Sequence, residues 1–221
     1  MSDDHMPTDG ADLRARKKAL RKELLARRRE LYGGDDAAQR LHDEGEALSG
    51  VLEQFITERI DREPGRPLVI AGYSATPTEA NPMRLLRTLA RSGDVVLLPV
   101  YAGDELTWRE WDGHSELQVS GGAKFGTEPT GRDRGVQALA DADFIITPAV
   151  AIDMSGTRIG HGKGYYDRAL QHRSDDALVV TAVHPSEVLP AGTLPREAHD
   201  YVIRFAATAD GIVALGEESH L

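Results

Sequence analysis

Cysteine is absent from this chain of 221 residues. Disulfides, zinc-thiolate sites and thiol nucleophiles are therefore excluded, and any chemistry must use oxygen, nitrogen or a borrowed cofactor. Long apolar runs are also missing. No stretch approaches the roughly 20 residues that a membrane-spanning helix needs, and the longest runs are strand-sized and broken by Gly, Pro or Asp. The opening residues, MSDDHMPTDGAD, have neither the basic nor the apolar segment of a secretory signal. No internal repeat or low-complexity tract occurs. A basic surplus is lacking as well: the net charge is -10, which argues against general nucleic-acid binding because phosphate neutralisation needs a concentrated basic surface. The expectation is a cytoplasmic monomer acting on small molecules, with no nucleic-acid or membrane partner. Residues 1–12 are expected to form a flexible tail and residues 13–221 a single domain, a size that supports one full core.

The charge that is present is unevenly placed. Nine Lys or Arg residues lie between Arg14 and Arg29 against one acid, Glu23, leaving 17 basic and 35 acidic residues in the remainder. From Ala11 to Leu31 the positions Leu13, Leu20, Leu24 and Leu31 recur at helical spacing, and Gly33-Gly34 supplies a stop. Lys17 and Arg21 share a face about 60° from the Leu20/Leu24 stripe, at the rim of the buried side, where they can point into a cleft. A solvated basic face is the competing reading. A second helix is expected over Asp36 to Arg59.

After Pro67 short apolar runs alternate with helical patterns: 68–73, 95–100, 144–150 and 177–183. Such alternation predicts an α/β fold, a mainly parallel sheet covered by helices. Asn81 and Pro82 suit the start of a helix carrying Met83, Leu85, Leu86 and Leu89, which makes a βαβ unit with its flanking strands. Residues 105–127 read as an irregular or hairpin insertion, 135–142 as a short helix, and 201–205 and 212–215 as final strands.

The segment GTRIGHGKGYYDR, residues 156–168, follows the strand at 144–150 and precedes a helical pattern ending near His172. Its four glycines let backbone amides approach a ligand closely, and a helix N-terminus behind them suits phosphate. In open α/β sheets such a loop lies beyond the carboxyl ends of the strands, where ligands bind. The segment is neither common nucleotide fingerprint: GxGxxG requires glycine where Tyr165 stands, and the P-loop requires Ser or Thr where Gly164 stands. A turn that spends its glycines on geometry alone is the bland alternative. Arg158, Lys163, two tyrosines and Asp167 in the same stretch favour phosphate handling.

This segment resembles the signature of the 5-formyltetrahydrofolate cyclo-ligase family, also called methenyltetrahydrofolate synthetase. Lys17-x-x-Leu20-Arg21, Tyr73 through Glu79, Leu98-Pro99-Val100, Phe125-Gly126-x-Glu128-Pro129, Thr147-Pro148 and Pro195-x-Glu197-x-His199-Asp200 are similar to that family's landmarks, in the same order. The likeness runs from about Lys17 to Phe205. It implies a three-layer α/β sandwich and an enzyme that converts 5-formyltetrahydrofolate to 5,10-methenyltetrahydrofolate with ATP and Mg²⁺, releasing ADP and phosphate. The formyl oxygen would attack the γ-phosphate, N10 would then close the ring, and phosphate would leave. Such chemistry asks for alignment and charge neutralisation rather than a covalent protein intermediate.

Carried over by residue, the resemblance implies that Lys17 and Arg21 contact ATP phosphates. Arg158 and the stretch Gly160, His161, Gly162, Lys163, Gly164, Tyr165 and Tyr166 would cradle the triphosphate, with Lys163 meeting the transferring group and Arg158 assisting catalysis. Asp167 and Asp200 would hold Mg²⁺, a hard cation suited to carboxylates, phosphates and water. Glu79, with Tyr73 and Ser74, would bind the pterin, since a carboxylate accepts paired N-H donors, and Tyr165 would line the boundary between the two ligands.

Each position has a duller alternative. Glu79 can simply favour the following helix N-terminus, Asp167 and Asp200 can be ordinary ion-pair partners, and His199 is given no proton transfer. Trp108 and Trp111 can stack on a pterin or pack in the core. Ala149 stands where the family usually has glycine, His161 where tyrosine or arginine is common, and Arg204 where an aspartate often follows. Two other function classes remain on sequence grounds, a sensor of a phosphorylated metabolite and a sugar-phosphate isomerase, because fold alone does not fix function.

Overall fold

A computed structural model describes residues 9–119, 126–197 and 200–216, with side chains from Asp12 onward. Residues 1–8 of the expected tail, Phe125 and His199 lie outside the described residues. The helices are α1 (Asp9–Tyr32), α2 (Ala37–Arg59), α3 (Met83–Arg91) and α4 (Tyr165–Ala169). In chain order the strands are β1 (Val69–Ala71), β2 (Val95–Ala102), β3 (Glu105–Trp111), β4 (Gln118–Val119), β5 (Thr127–Glu128), β6 (Asp133–Gly135), β7 (Phe144–Pro148), β8 (Ala151–Asp153), β9 (Arg158–Ile159), β10 (Leu178–Ala182), β11 (Val188–Leu189), β12 (Phe205–Thr208) and β13 (Gly211–Ala214).

Eight strands form the main sheet in the order β13-β12-β10-β7-β1-β2-β3-β6. The five from β12 to β2 run parallel, and antiparallel strands close both edges. Phe144, Ile145, Ile146 and Thr147 of β7 are fully buried, the continuous burial expected of a central parallel strand covered on both faces. Alternate side chains feed two cores. Ile70, Val96, Leu98, Phe144 and Ile146 meet Leu48, Leu52, Phe55, Leu85 and Leu86 of α2 and α3. Ala71, Leu97 and Ile145 face the other way, toward Leu139, Ala169, Leu170 and Ile203. Helix, sheet and helix make the three layers. A small sheet, β11-β8-β9, stands beside them, and α1 packs Leu20, Leu24 and Leu25 onto its Val150, Ala151 and Ile159.

Several local expectations differ from the structure. The helix α1 begins at Asp9, so residues 9–12 are helical rather than tail. In place of a helix over 135–142, Asp133–Gly135 is a strand and only Ala138–Asp141 forms a 3₁₀ turn. Gly135 sits at φ +76° and the Asp133 carboxylate accepts its N-H at 2.8 Å, so a turn is closed where the helix was expected to start. The terminal strand begins at Phe205, not Tyr201. Ile203 donates its N-H to Gly156 at 2.9 Å and buries its side chain, which ties 201–203 to the β8–β9 hairpin instead of the sheet. Residues 105–111 of the insertion are an antiparallel partner of β2 along its length, from Val96↔Trp111 to Ala102↔Glu105.

Candidate active site

Beyond the carboxyl end of β1 the chain curls tightly. Tyr73 is buried, and its hydroxyl donates to the Ala80 carbonyl, drawing the loop between them into a coil. Within that coil Glu79 folds back so that its Oε2 accepts the Thr76 N-H at 2.8 Å, while its Oε1 lies 3.1 Å from His161 Nε2. Burial favours the neutral acid, but the bonds from His161 and Thr76 outweigh it and hold Glu79 below the ordinary carboxylate value. Glu79 is thus a buried, ionised acceptor. Ser74 Oγ lies 2.7 Å from Thr127 Oγ1, joining this loop to β5.

The second wall is the glycine loop, whose base is the β8–β9 hairpin. Buried Asp153 accepts the N-H groups of Ser155 and Thr157 through Oδ1 and that of Leu194 through Oδ2. From there residues 160–164 rise over the cavity. Arg21 of α1 donates Nε to the Gly160 carbonyl at 2.6 Å, and its guanidinium lies so near Gly162 that an added Cβ would stand 2.8 Å from Cζ. Gly162 has φ +89°, a conformation that side-chain-bearing residues rarely adopt. The far end is held by Arg168, which donates to the carbonyls of Lys163 at 3.0 Å and Asp104 at 2.9 Å. Tyr165 adds a bond from its hydroxyl to the Gly103 carbonyl. Among the described residues nothing accepts the backbone N-H groups of His161, Gly162, Lys163 or Gly164. The helix behind them, α4, has only five residues before a 3₁₀ turn takes over at Leu170. The free amides, more than a macrodipole, are what this loop can offer to an anion.

Charge lines the space between these walls. Lys17 donates to Asp200 at 2.6 Å and to Glu197 at 2.8 Å. Burial works against its charge, but these two carboxylates outweigh that cost and raise its pKa above 10.5. Arg158 is nearly buried and donates to Asp167 at 2.5 Å. Burial lowers the pKa of Arg21, which remains a cation because guanidinium pKa values exceed about 12. The Lys163 ammonium is exposed and has no ion pair among the described residues. No group of three or more His, Asp or Glu side chains gathers as a metal cage among the described residues. Asp167 and Asp200 both line the cavity, Asp167 beside Arg158 and Asp200 with Glu197 beside Lys17. That donor set suits a magnesium ion that keeps water and phosphate oxygens for most of its shell.

The site residues that the resemblance implied all line one cavity of about 480 Å³: Tyr73, Ser74 and Glu79 on one side, Lys17, Arg21, Asp167 and Asp200 on the other, and Arg158 with the stretch from Gly160 to Tyr166 between them. The difference lies with His161, which was grouped with the nucleotide residues but whose ring turns to Glu79. Trp108 and Trp111 are core residues, 0% and 5% exposed, and do not line this cavity. Ala149 forms part of the cavity floor, and its carbonyl accepts Arg28. Arg204 is exposed and contributes a backbone acceptor to Leu215.

Beneath the floor sits a network that the motif reading missed. Arg28, 2% exposed, donates to both oxygens of Glu187 at 2.5 and 2.8 Å and to the Ala149 carbonyl at 2.7 Å. His184 stacks on Tyr32 and places Nδ1 2.6 Å from Glu44 and Nε2 3.1 Å from the Thr78 carbonyl, next to Glu79. One signal was available. Arg28 falls four residues after Leu24, on the apolar stripe, where a cation needs a buried partner.

Comparison with known proteins places this geometry in context. The sequence profile of the 5-formyltetrahydrofolate cyclo-ligase family matches residues 13–209. A 5-formyltetrahydrofolate cyclo-ligase from Mycolicibacterium smegmatis is 32% identical over 206 residues, spanning 90% of this chain and 97% of that protein. The Escherichia coli protein of the same name is 36% identical over 106 residues, 47% of this chain and 57% of its own. Among solved structures, the 5,10-methenyltetrahydrofolate synthetase of Aquifex aeolicus aligns with a TM-score of 0.70 at 27% identity, covering 93% of this chain and 95% of that one. The Mycoplasma pneumoniae synthetase shares the fold at 18% identity, with a TM-score of 0.61 over 87% of this chain and 98% of that one.

Proposed function

The chain belongs to the 5-formyltetrahydrofolate cyclo-ligase family, and from that premise we propose that it is a cytoplasmic enzyme that uses ATP to convert 5-formyltetrahydrofolate to 5,10-methenyltetrahydrofolate, releasing ADP and phosphate. The observation that carries the reading is one cavity with two chemically different ends. At one end unbonded amides, Arg21 and Lys163 await an anion. At the other, buried Glu79 awaits N-H donors.

In this reading the loop amides and Lys17, Arg21 and Arg158 grip the triphosphate, and Glu79 fixes the pterin with Tyr73 and Ser74 beside it. Tyr165 stands between the two ligands. The formyl oxygen attacks the γ-phosphorus and ADP departs with the bonding electrons. The N10 lone pair then attacks the activated formyl carbon, N10 gives up its proton to the departing phosphate or to solvent, and phosphate leaves with the former formyl oxygen. Lys163 neutralises charge on the group in transfer, and Arg158 holds it in line. Asp167 and Asp200 would hold Mg²⁺, which when bound offsets phosphate charge. Both carboxylates are paired with cations in the ligand-free protein, so incoming phosphates would draw Lys17 and Arg158 toward themselves and leave the acids to the metal. No covalent enzyme intermediate is required, in keeping with a chain that has no cysteine.

The test is product formation. Purified protein given Mg-ATP and 5-formyltetrahydrofolate is expected to generate the near-ultraviolet absorbance of the methenyl product, with none when ATP is omitted. A folded protein that binds a sugar phosphate yet consumes no ATP would contradict the proposal.

A further inference from the structure

His161 lies in the middle of the loop proposed to hold phosphates, yet its side chain does not serve that loop. Nε2 is 3.1 Å from Oε1 of Glu79, on a different element 82 residues earlier in sequence. An ionised carboxylate only accepts, so Nε2 carries the hydrogen in this bond. Each carboxylate oxygen has two acceptor positions. The Thr76 N-H bonds Oε2, the Thr76 side chain also reaches the carboxylate, and His161 bonds Oε1, so Glu79 is held from both sides and retains acceptor capacity for a ligand. That remaining capacity suits an N-H donor such as those on a 2-amino-4-oxo pyrimidine edge. The side chain of Glu79 is 7% exposed and that of His161 40%, so the histidine covers the acid while remaining open to the cavity.

We propose that His161 is a positioning residue for the folate, fixing the plane of the Glu79 carboxylate, and not a nucleotide ligand. The proposal rests on the function assigned to the cavity above and adds which ligand position 161 serves. Any side chain that donates from this position, including arginine, tyrosine or glutamine, can fill the role.

The experiment compares KM for both substrates in wild type, His161→Leu and His161→Gln, with the melting temperature of each. Loss of one bond to a charged group predicts that His161→Leu raises KM for 5-formyltetrahydrofolate about tenfold while KM for ATP stays within about twofold. Glutamine should restore most of the loss. In a Glu79→Gln background, His161→Leu should cause little further change. A rise in KM for ATP, alone or equal to that for folate, overturns the proposal, as does a glutamine variant no better than leucine when both melt like wild type. Wild-type protein without turnover would instead defeat the function assigned to the cavity. In that case loss of the wild-type imidazole NMR shift in Glu79→Gln would still support the His161–Glu79 bond, and an unchanged shift would overturn it.

Discussion

Replacing Gly162 with alanine separates the shape of the glycine loop from its charge. Gly162 has φ +89°, and a Cβ there would stand 2.8 Å from Cζ and 2.9 Å from Nη1 of Arg21. The backbone strain costs about 1–2 kcal/mol. Arg21 is a flexible side chain and can swing away, so the clash itself is relieved cheaply. In moving it gives up its 2.6 Å bond to the Gly160 carbonyl, worth about 1.5 kcal/mol for a charged donor. The total, roughly 3 kcal/mol, corresponds for a chain of this length to a melting temperature lower by about 6–12 °C. Gly160 supplies an internal control. Its Cβ would meet nothing within 4 Å, so Gly160→Ala should alter stability by less than about 1 kcal/mol. Thermal unfolding followed by circular dichroism measures both variants. Gly162→Ala should also raise KM for ATP about tenfold as Arg21 leaves the loop. Equal melting temperatures for the two variants, or an unchanged KM for ATP in Gly162→Ala, would show that Gly162 does not hold Arg21 on the loop.

The remaining predictions concern the floor and the two ends of the cavity. Arg28→Met leaves buried Glu187 without its guanidinium partner and should cost about 3–5 kcal/mol in urea unfolding, whereas Arg28→Met combined with Glu187→Leu should recover at least half. A double variant as unstable as the single one would contradict this. Glu79 has a depressed folded pKa, so its contribution to stability is present above its ordinary value of 4.5 and is lost as pH falls through the folded value. The stability difference between wild type and Glu79→Gln should therefore shrink below about pH 4.5, and a difference that stays constant across that range would contradict the assignment. Lys163→Ala should lower kcat/KM by roughly 100-fold, about 3 kcal/mol of transition-state stabilisation. Unchanged turnover would remove Lys163 from its role.

What the sequence reveals follows from how local each feature is. Four of the five parallel strands are legible because each is a short apolar run bounded by Gly, Pro or Asp, as with Phe144 to Pro148. The glycine loop is legible because its glycines, cations and tyrosines are contiguous. Placing Lys17 and Arg21 at a cleft rim needs only the helical period. Features that depend on distant partners are not legible: Arg28 and Glu187 are 159 residues apart, and His184 and Glu44 140. The orientation of His161 is hidden for the same reason, since its neighbours in sequence all suggest phosphate. The last parallel strand was displaced by four residues because Ala206, Ala207 and Thr208 are small and weakly patterned, while Tyr201 to Phe205 looks more strand-like than its contacts permit.

In the proposed reaction this cavity joins the formyl oxygen of the folate to the terminal phosphorus of ATP, and 5-formyltetrahydrofolate carrying ¹⁸O in the formyl group follows that oxygen. For each methenyl product formed, one ¹⁸O should appear in the inorganic phosphate released. Label recovered in water, with unlabelled phosphate, would contradict it.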